Sequence, residues 1–72
     1  MAKNKTKMTN RVAEYRRRKG WTQAKLAEKI GRTRQTVVAI ERGYNAPSVE
    51  VSLLLSKVLK TDVNTLFQLK GE

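Results

Sequence analysis

Between Thr22 and Gly43 the chain alternates hydroxyl residues with glycines, and Arg32 alone separates the first stop, Gly31, from the second cap, Thr33. A threonine side chain accepts from the open N–H groups of a helix's first turn, and glycine adopts the left-handed conformation in which helices end. This spacing predicts two short helices, one opening after Thr22 and one over Arg34–Arg42, joined by a sharp turn. Leu26, Ala27 and Ile30 form the buried stripe of the first. Trp21, just before its cap, is placed to staple onto Leu26 and reads as a core residue, while Lys25 stands where a capping box would want glutamate. In the second, helical periodicity gathers Val37, Ile40 and Glu41 on one side and Gln35, Val38, Ala39 and Arg42 on the other. The apolar side faces a core; the other side mixes amide, small and cationic groups.

The flanking segments extend the pattern. Residues 1–9 carry Lys3, Lys5 and Lys7 with no apolar periodicity and read as a flexible basic arm. Asn10 precedes a first helix over Arg11–Lys19, which Gly20 closes. Ala46 before Pro47 is pushed out of the helical region, so residues 44–47 form a loop. Ser48 caps a fourth helix from Val49 to about Leu59, in which Val49, Leu53 and Leu59 suit the core. Asp62 caps a short fifth helix with Val63, Leu66 and Phe67 inward. With no strand-like alternation and no repeat, the expected fold class is all-α: a compact five-helix domain over 10–69, with residues 70–72 as a tail. A chain of 72 residues has room for one domain only.

Charge narrows the function. Lysine and arginine number 16 against 6 aspartate and glutamate, a net +10. Residues 1–34 hold 12 of the bases and 2 of the acids, whereas residues 35–72 hold 4 of each, so one half is cationic and the other neutral. Cysteine and histidine are both missing, which removes disulfides, thiol nucleophiles, zinc-finger ligands and the commonest general base. Neither paired carboxylates nor a phosphate-cradling glycine loop is present, and no enzyme, cofactor or metal is expected. The longest apolar runs, Val37–Ile40 and Leu53–Leu55, are far below a membrane span, and the N-terminus lacks the apolar stretch of a secretory signal.

Two capped helices about a glycine turn are a helix-turn-helix arrangement. Thr22-Gln23, Leu26-Ala27, Gly31, Thr33-Arg34-Gln35-Thr36-Val37, Ile40-Glu41-Arg42-Gly43, Pro47-Ser48 and Leu66-Phe67 fall in a spacing that resembles the phage repressor and Cro-like helix-turn-helix family, over residues 11–67. The resemblance implies a lambda-repressor-like domain whose third helix enters the major groove of double-stranded DNA. Arg34 can then fork onto guanine and Gln35 onto adenine, with the Thr36 hydroxyl and methyl beside them. Val38 and Ala39 are small enough to meet a thymine methyl, though Val38 could equally face a partner chain. Arg34 and Gln35 taken without the pattern would be ordinary solvated helix formers.

In the family, the position matching Gln23 binds phosphate at the opening of the second helix. Thr33, Arg42 and the loop residues Tyr44 and Asn45 are further expected phosphate contacts, with Tyr44 alternatively packing on the core. Arg32 stands where the family commonly has a small apolar or hydroxyl residue, and either reaches a phosphate or extends into water. Related proteins pair an arginine of the first helix with a glutamate near the end of the third, which implies a structural ion pair between Arg16 and Glu41. The rest of the Arg16–Lys19 run suits the helix dipole as a solvated face.

The fourth helix has more apolar residues than one face needs. By resemblance, Val51, Leu54 and Leu69 are expected at a homodimer contact, which would set two half-sites about 34 Å apart on a near-palindromic operator. The implied function is a sequence-specific transcriptional regulator, a repressor by occupancy, in the cytoplasm of a prokaryote and associated with its nucleoid. Two rivals share the features. An antitoxin or phage accessory factor would use Val51 and Leu54 to bind another protein. An RNA-associated basic protein would explain the charge but not Arg34-Gln35-Thr36 after a capped turn.

Overall fold

The computed structural model describes residues 8–70. Lys3, Lys5 and Lys7 of the expected arm, and residues 71–72 of the expected tail, lie outside the described residues. The elements run β1 (Met8–Asn10), α1 (Val12–Arg18), α2 (Gln23–Ile30), α3 (Arg34–Arg42), α4 (Val49–Leu59), α5 (Val63–Leu66) and β2 (Phe67–Leu69).

Local chemistry sets these boundaries. The Thr22 hydroxyl accepts from the Lys25 N–H at 3.0 Å and Thr33 from the Thr36 N–H at 3.3 Å. Ser48 caps α4 through the Val51 N–H at 3.1 Å, and Asp62 caps α5 through the Thr65 N–H at 2.7 Å. Gly31 ends α2 at φ +68°, a conformation that costs a side-chain-bearing residue about 1–2 kcal/mol. Lys60 accepts that cost at the end of α4, with φ +57°.

One core joins all five helices: Val12 of α1, Leu26, Ala27 and Ile30 of α2, Val37 and Ile40 of α3, Val51, Leu55 and Leu59 of α4, and Leu66 of α5. Tyr15, Trp21, Leu54, Val58 and Phe67 pack against it half-buried. Since α2 packs on both α3 and α4, the orientation of α3 is fixed from behind.

Three expectations are corrected here. The fourth helix turns a different face inward. Val51 is core rather than interface, at 7% exposure, while Val49 and Leu53 are 77% and 59% exposed. Both series, 49–53–57 and 51–55–59, repeat every four residues. Lys57 interrupts the first, whereas Leu55 and Leu59 carry the second through, so burial follows the unbroken stripe. Leu54 is half-buried against the core, not a free surface residue.

The second correction is a small antiparallel sheet, with Met8 opposite Leu69, Thr9 opposite Gln68 and Asn10 opposite Phe67. Met8 and Thr9 therefore belong to the fold and not to an arm, and Phe67 begins a strand. Three-residue strands are too short to display an alternation.

The third concerns the start of α1, which opens at Val12 with Arg11 in the cap position and no side-chain cap bond from it. Asn10 lies one residue further out. Its Oδ1 accepts from the Val12 N–H at 3.1 Å, and its Nδ2 donates to the Ile40 carbonyl at 2.9 Å. One side chain thereby ties β1, the start of α1 and the far end of α3 together.

Candidate nucleic-acid interface

The face of α3 that carries Val37 and Ile40 is sealed into the core, which turns Arg34, Gln35 and Arg42 outward. The loop after α3, which contains Pro47, comes back alongside it. Between them runs an open groove of about 650 Å³, lined on one side by Thr33, Arg34, Gln35, Thr36, Val38, Ala39 and Arg42, and on the other by Tyr44, Asn45, Ala46, Pro47 and Ser48. Nine of the residues expected on DNA thus share one concavity. Arg34, Gln35, Arg42 and Asn45 are exposed, whereas Thr36, Val38, Ala39 and Tyr44 are half-buried. A helix with its side chains is about 10–12 Å across, which fits the roughly 12 Å width of a major groove.

Ala46, Pro47 and Ser48 were not expected in this groove. Their signal was the proline itself, which fixes the loop's path and places its walls opposite α3. Val51, removed from the surface, closes the groove's floor.

Other expected residues lie elsewhere. Arg32 reaches Glu50 of α4, Nη2 to Oε1 at 3.3 Å, and also donates from Nη1 to the Gly31 carbonyl. The position has neither a small side chain nor a free one: it straps the turn to α4. Leu69 sits on β2 at 59% exposure, away from the groove-lining set.

Much of the cationic run after Tyr15 has local partners. Arg18 pairs with Glu14 and stacks 4.5 Å over the Tyr15 ring. Lys19 and Lys29 approach the Trp21 ring at 5.8 and 5.0 Å, so the half-buried indole serves both the core and two ammonium groups.

Behind the groove lies a polar cluster. Arg16 Nε donates to Glu41 Oε2 at 2.7 Å, with side-chain exposures of 10% and 6%. Arg16 Nη2 donates to Glu41 Oε1 at 3.3 Å, and Nη1 to the Trp21 carbonyl at 2.7 Å. Gln23 adjoins this pair: its Nε2 donates to Glu41 Oε1 at 3.1 Å, while its Oε1 accepts from Arg34 Nη2 at 3.3 Å. Each end of its amide thus has a protein partner, and one N–H of Nε2 remains beyond the bond to Glu41. Among the described residues no His, Cys, Asp or Glu group could hold a metal ion, and no helix is long and apolar enough to cross a membrane.

Comparison with known proteins places this architecture. The model of the family described as helix-turn-helix matches residues 12–66. Over 65 residues the chain is 43% identical to the HTH-type transcriptional regulator YgzD of Bacillus subtilis, covering 90% of this chain and 98% of YgzD. The N-terminal DNA-binding domain of SinR from Bacillus subtilis superposes with a TM-score of 0.74 at 36% identity, over 86% of this chain and 91% of that one. SinR, the master regulator for biofilm formation, in a crystal structure with DNA, gives a TM-score of 0.71 at 36% identity, over 76% of this chain and 89% of that one. A family match across most of the chain, with α2 and α3 meeting at the Gly31 turn, establishes that the protein belongs to the helix-turn-helix family of DNA-binding transcriptional regulators.

Proposed function

We propose that this regulator is a repressor that reads a near-palindromic operator as a homodimer, with α3 in the major groove. The observation that carries the reading is the groove itself, in which the exposed Arg34 and Gln35 stand at the N-terminal end of a helix anchored from behind by Val37 and Ile40. That end of a recognition helix is the part that meets base edges. Arg34 is suited to guanine O6 and N7, Gln35 to adenine N6 and N7, and Thr36, Val38 and Ala39 to apolar and hydroxyl contacts along the same wall. Thr33, Arg42, Tyr44 and Asn45 border the groove where phosphates would pass, and fix register without reading sequence. Exposed Leu69 supports a second copy as partner. Repression would follow from occupying DNA that a polymerase needs, on the nucleoid in the cytoplasm.

Selection of bound duplexes from a random pool, at about 150 mM salt, tests the reading. The expected result is a two-fold symmetric motif with half-sites about 10 base pairs apart. Gln35→Ala should then relax base choice at one position of each half-site and leave the salt slope unchanged. Binding to all duplexes alike, with no motif enriched, would remove the reading.

A further inference from the structure

Asn10 holds β1 against the far end of α3, its Nδ2 donating to the Ile40 carbonyl at 2.9 Å. The strand register sets Met8 opposite Leu69, so Lys70 follows at the same end of the small sheet. Between the sheet and the Gly43 stop of α3 lies an open hollow of about 170 Å³, lined by Met8, Thr9, Glu41, Arg42 and Lys70. Its charge is positive. Arg42 and Lys70 are exposed, and the acids among the described residues are engaged elsewhere. Glu14 pairs with Arg18, Glu28 with Lys25 and Glu50 with Arg32, while Asp62 caps α5. Glu41 is only 6% exposed, and Arg16 offsets its charge. Arg42 lines this hollow and the larger α3 groove alike, so the two concavities meet at one residue.

We propose that this hollow is a second phosphate site: Lys70 and Thr9, beside Arg42, hold a backbone phosphate of the bound duplex outside the base pairs that α3 reads. The proposal rests on the reading of α3 as the helix in the major groove. Along one strand of a duplex a charge recurs about every 3.4 Å of helix axis. A strand that passes Arg42 at the edge of the groove therefore presents a further phosphate to the far side of the same residue. An ammonium beside a guanidinium there displaces counterions, and the Thr9 hydroxyl can donate to a phosphate oxygen. Such a contact carries no sequence information; it fixes the orientation of the domain on the duplex. Two cations beside the C-terminal end of a helix also offset its partial negative charge, and that purely structural role has a different signature, in stability and not in DNA binding.

Lys70→Ala should weaken binding to operator and unrelated duplexes alike, keep base choice at every operator position and leave the thermal midpoint unchanged. Its plot of log affinity against log salt should be shallower by about 0.9, so that between 50 and 200 mM salt the parent loses about three- to fourfold more affinity than the variant. Thr9→Val keeps a strand-forming side chain without the hydroxyl, and should weaken all duplexes about two- to tenfold at an unchanged slope. Uncharged methylphosphonates, placed one at a time along the flanks of the half-site, locate the contact: one position should weaken the parent and leave Lys70→Ala unaffected. Lys57, exposed on α4 and lining neither concavity, is the control. An equal loss of slope in Lys57→Ala would reduce Lys70 to part of a diffuse field. A lower thermal midpoint for Lys70→Ala, at the slope of the parent, would make Lys70 a helix-end charge. A midpoint raised by inorganic phosphate through Lys70, with no sensitive methylphosphonate position, would make the hollow a site for free anions. Each of these overturns the proposal. If Arg34→Ala fails to relax base choice, the reading of α3 falls. If it relaxes base choice while Lys70→Ala keeps the slope of the parent, only the role of the hollow falls.

Discussion

Arg16 and Glu41 meet across 25 positions of sequence, Nε to Oε2 at 2.7 Å, with side chains only 10% and 6% exposed. The pair fastens the end of α1 to the end of α3, behind the groove that α3 lines. Both carboxylate oxygens of Glu41 are used, by Arg16 and Gln23, and Arg16 adds a bond to the Trp21 carbonyl. Removing one partner strands the other charge in a dry site. Arg16→Met should cost about 3–5 kcal/mol, and the Arg16→Met, Glu41→Leu double variant less than the sum of the two single changes. Urea unfolding of the four proteins measures both quantities; additive losses would mean that the pair is not coupled.

A prediction of opposite sign concerns Lys60, which closes α4 at φ +57°. Glycine there removes about 1–2 kcal/mol of conformational strain and adds about 0.5–1 kcal/mol of unfolded-chain entropy. Lys60→Gly should therefore stabilise by roughly 0.5–1 kcal/mol, seen as a higher urea midpoint at an unchanged slope.

Along α4, neighbouring apolar residues should respond differently. Val51→Ala, at a core position with 7% exposure, should destabilise by about 1.5–3 kcal/mol. Leu53→Ala, at 59% exposure, should stay within about 0.5 kcal/mol of the parent. Thermal melts of the two proteins at low concentration distinguish them.

Asp62 supplies a pH dependence. Hydrogen bonds from the Thr65 hydroxyl and the Thr65 N–H hold its carboxyl below its ordinary value of 3.8. The folded protein then binds that proton more weakly than the unfolded chain does. The contribution of the cap is complete above the ordinary value and is lost as the pH falls through it and below. The thermal midpoint measured from about pH 2 to 5 should rise more steeply for the parent than for Asp62→Asn.

Asn10→Ala should cost about 1–2 kcal/mol, because it leaves the Ile40 carbonyl and the Val12 N–H without their partner at a half-buried position. Chemical denaturation measures the loss, and amide exchange should quicken in β1 and at the start of α1.

The helices were legible because their ends are chemical: Thr22, Thr33, Ser48 and Asp62 each offer an acceptor at the one position where a first turn has spare donors. The turn at Gly31 followed for the same reason, and with it the groove-facing orientation of Arg34 and Gln35. The phase of α4 was harder, since Val49 and Leu53 mimic a buried stripe for two steps before Lys57 breaks it. The pairing of β1 with β2 depends on three residues at each end of the fold and carries no local signature. The strap from Arg32 to Glu50 and the orientation of Gln23 belong to tertiary geometry, which fixes partners that no spacing rule encodes.

The β1–β2 pairing also sets the order in which the molecule can be completed. A ribosome makes Met8–Asn10 before any helix and Phe67–Leu69 after all five. At about 5–20 residues per second, the first strand waits on the order of 3–10 s for its partner. Throughout that wait the Arg11 N–H also lacks the Leu66 carbonyl that it later meets at 2.8 Å. Until Phe67–Leu69 is available the seam beside β1 stays open, and β2 closes it.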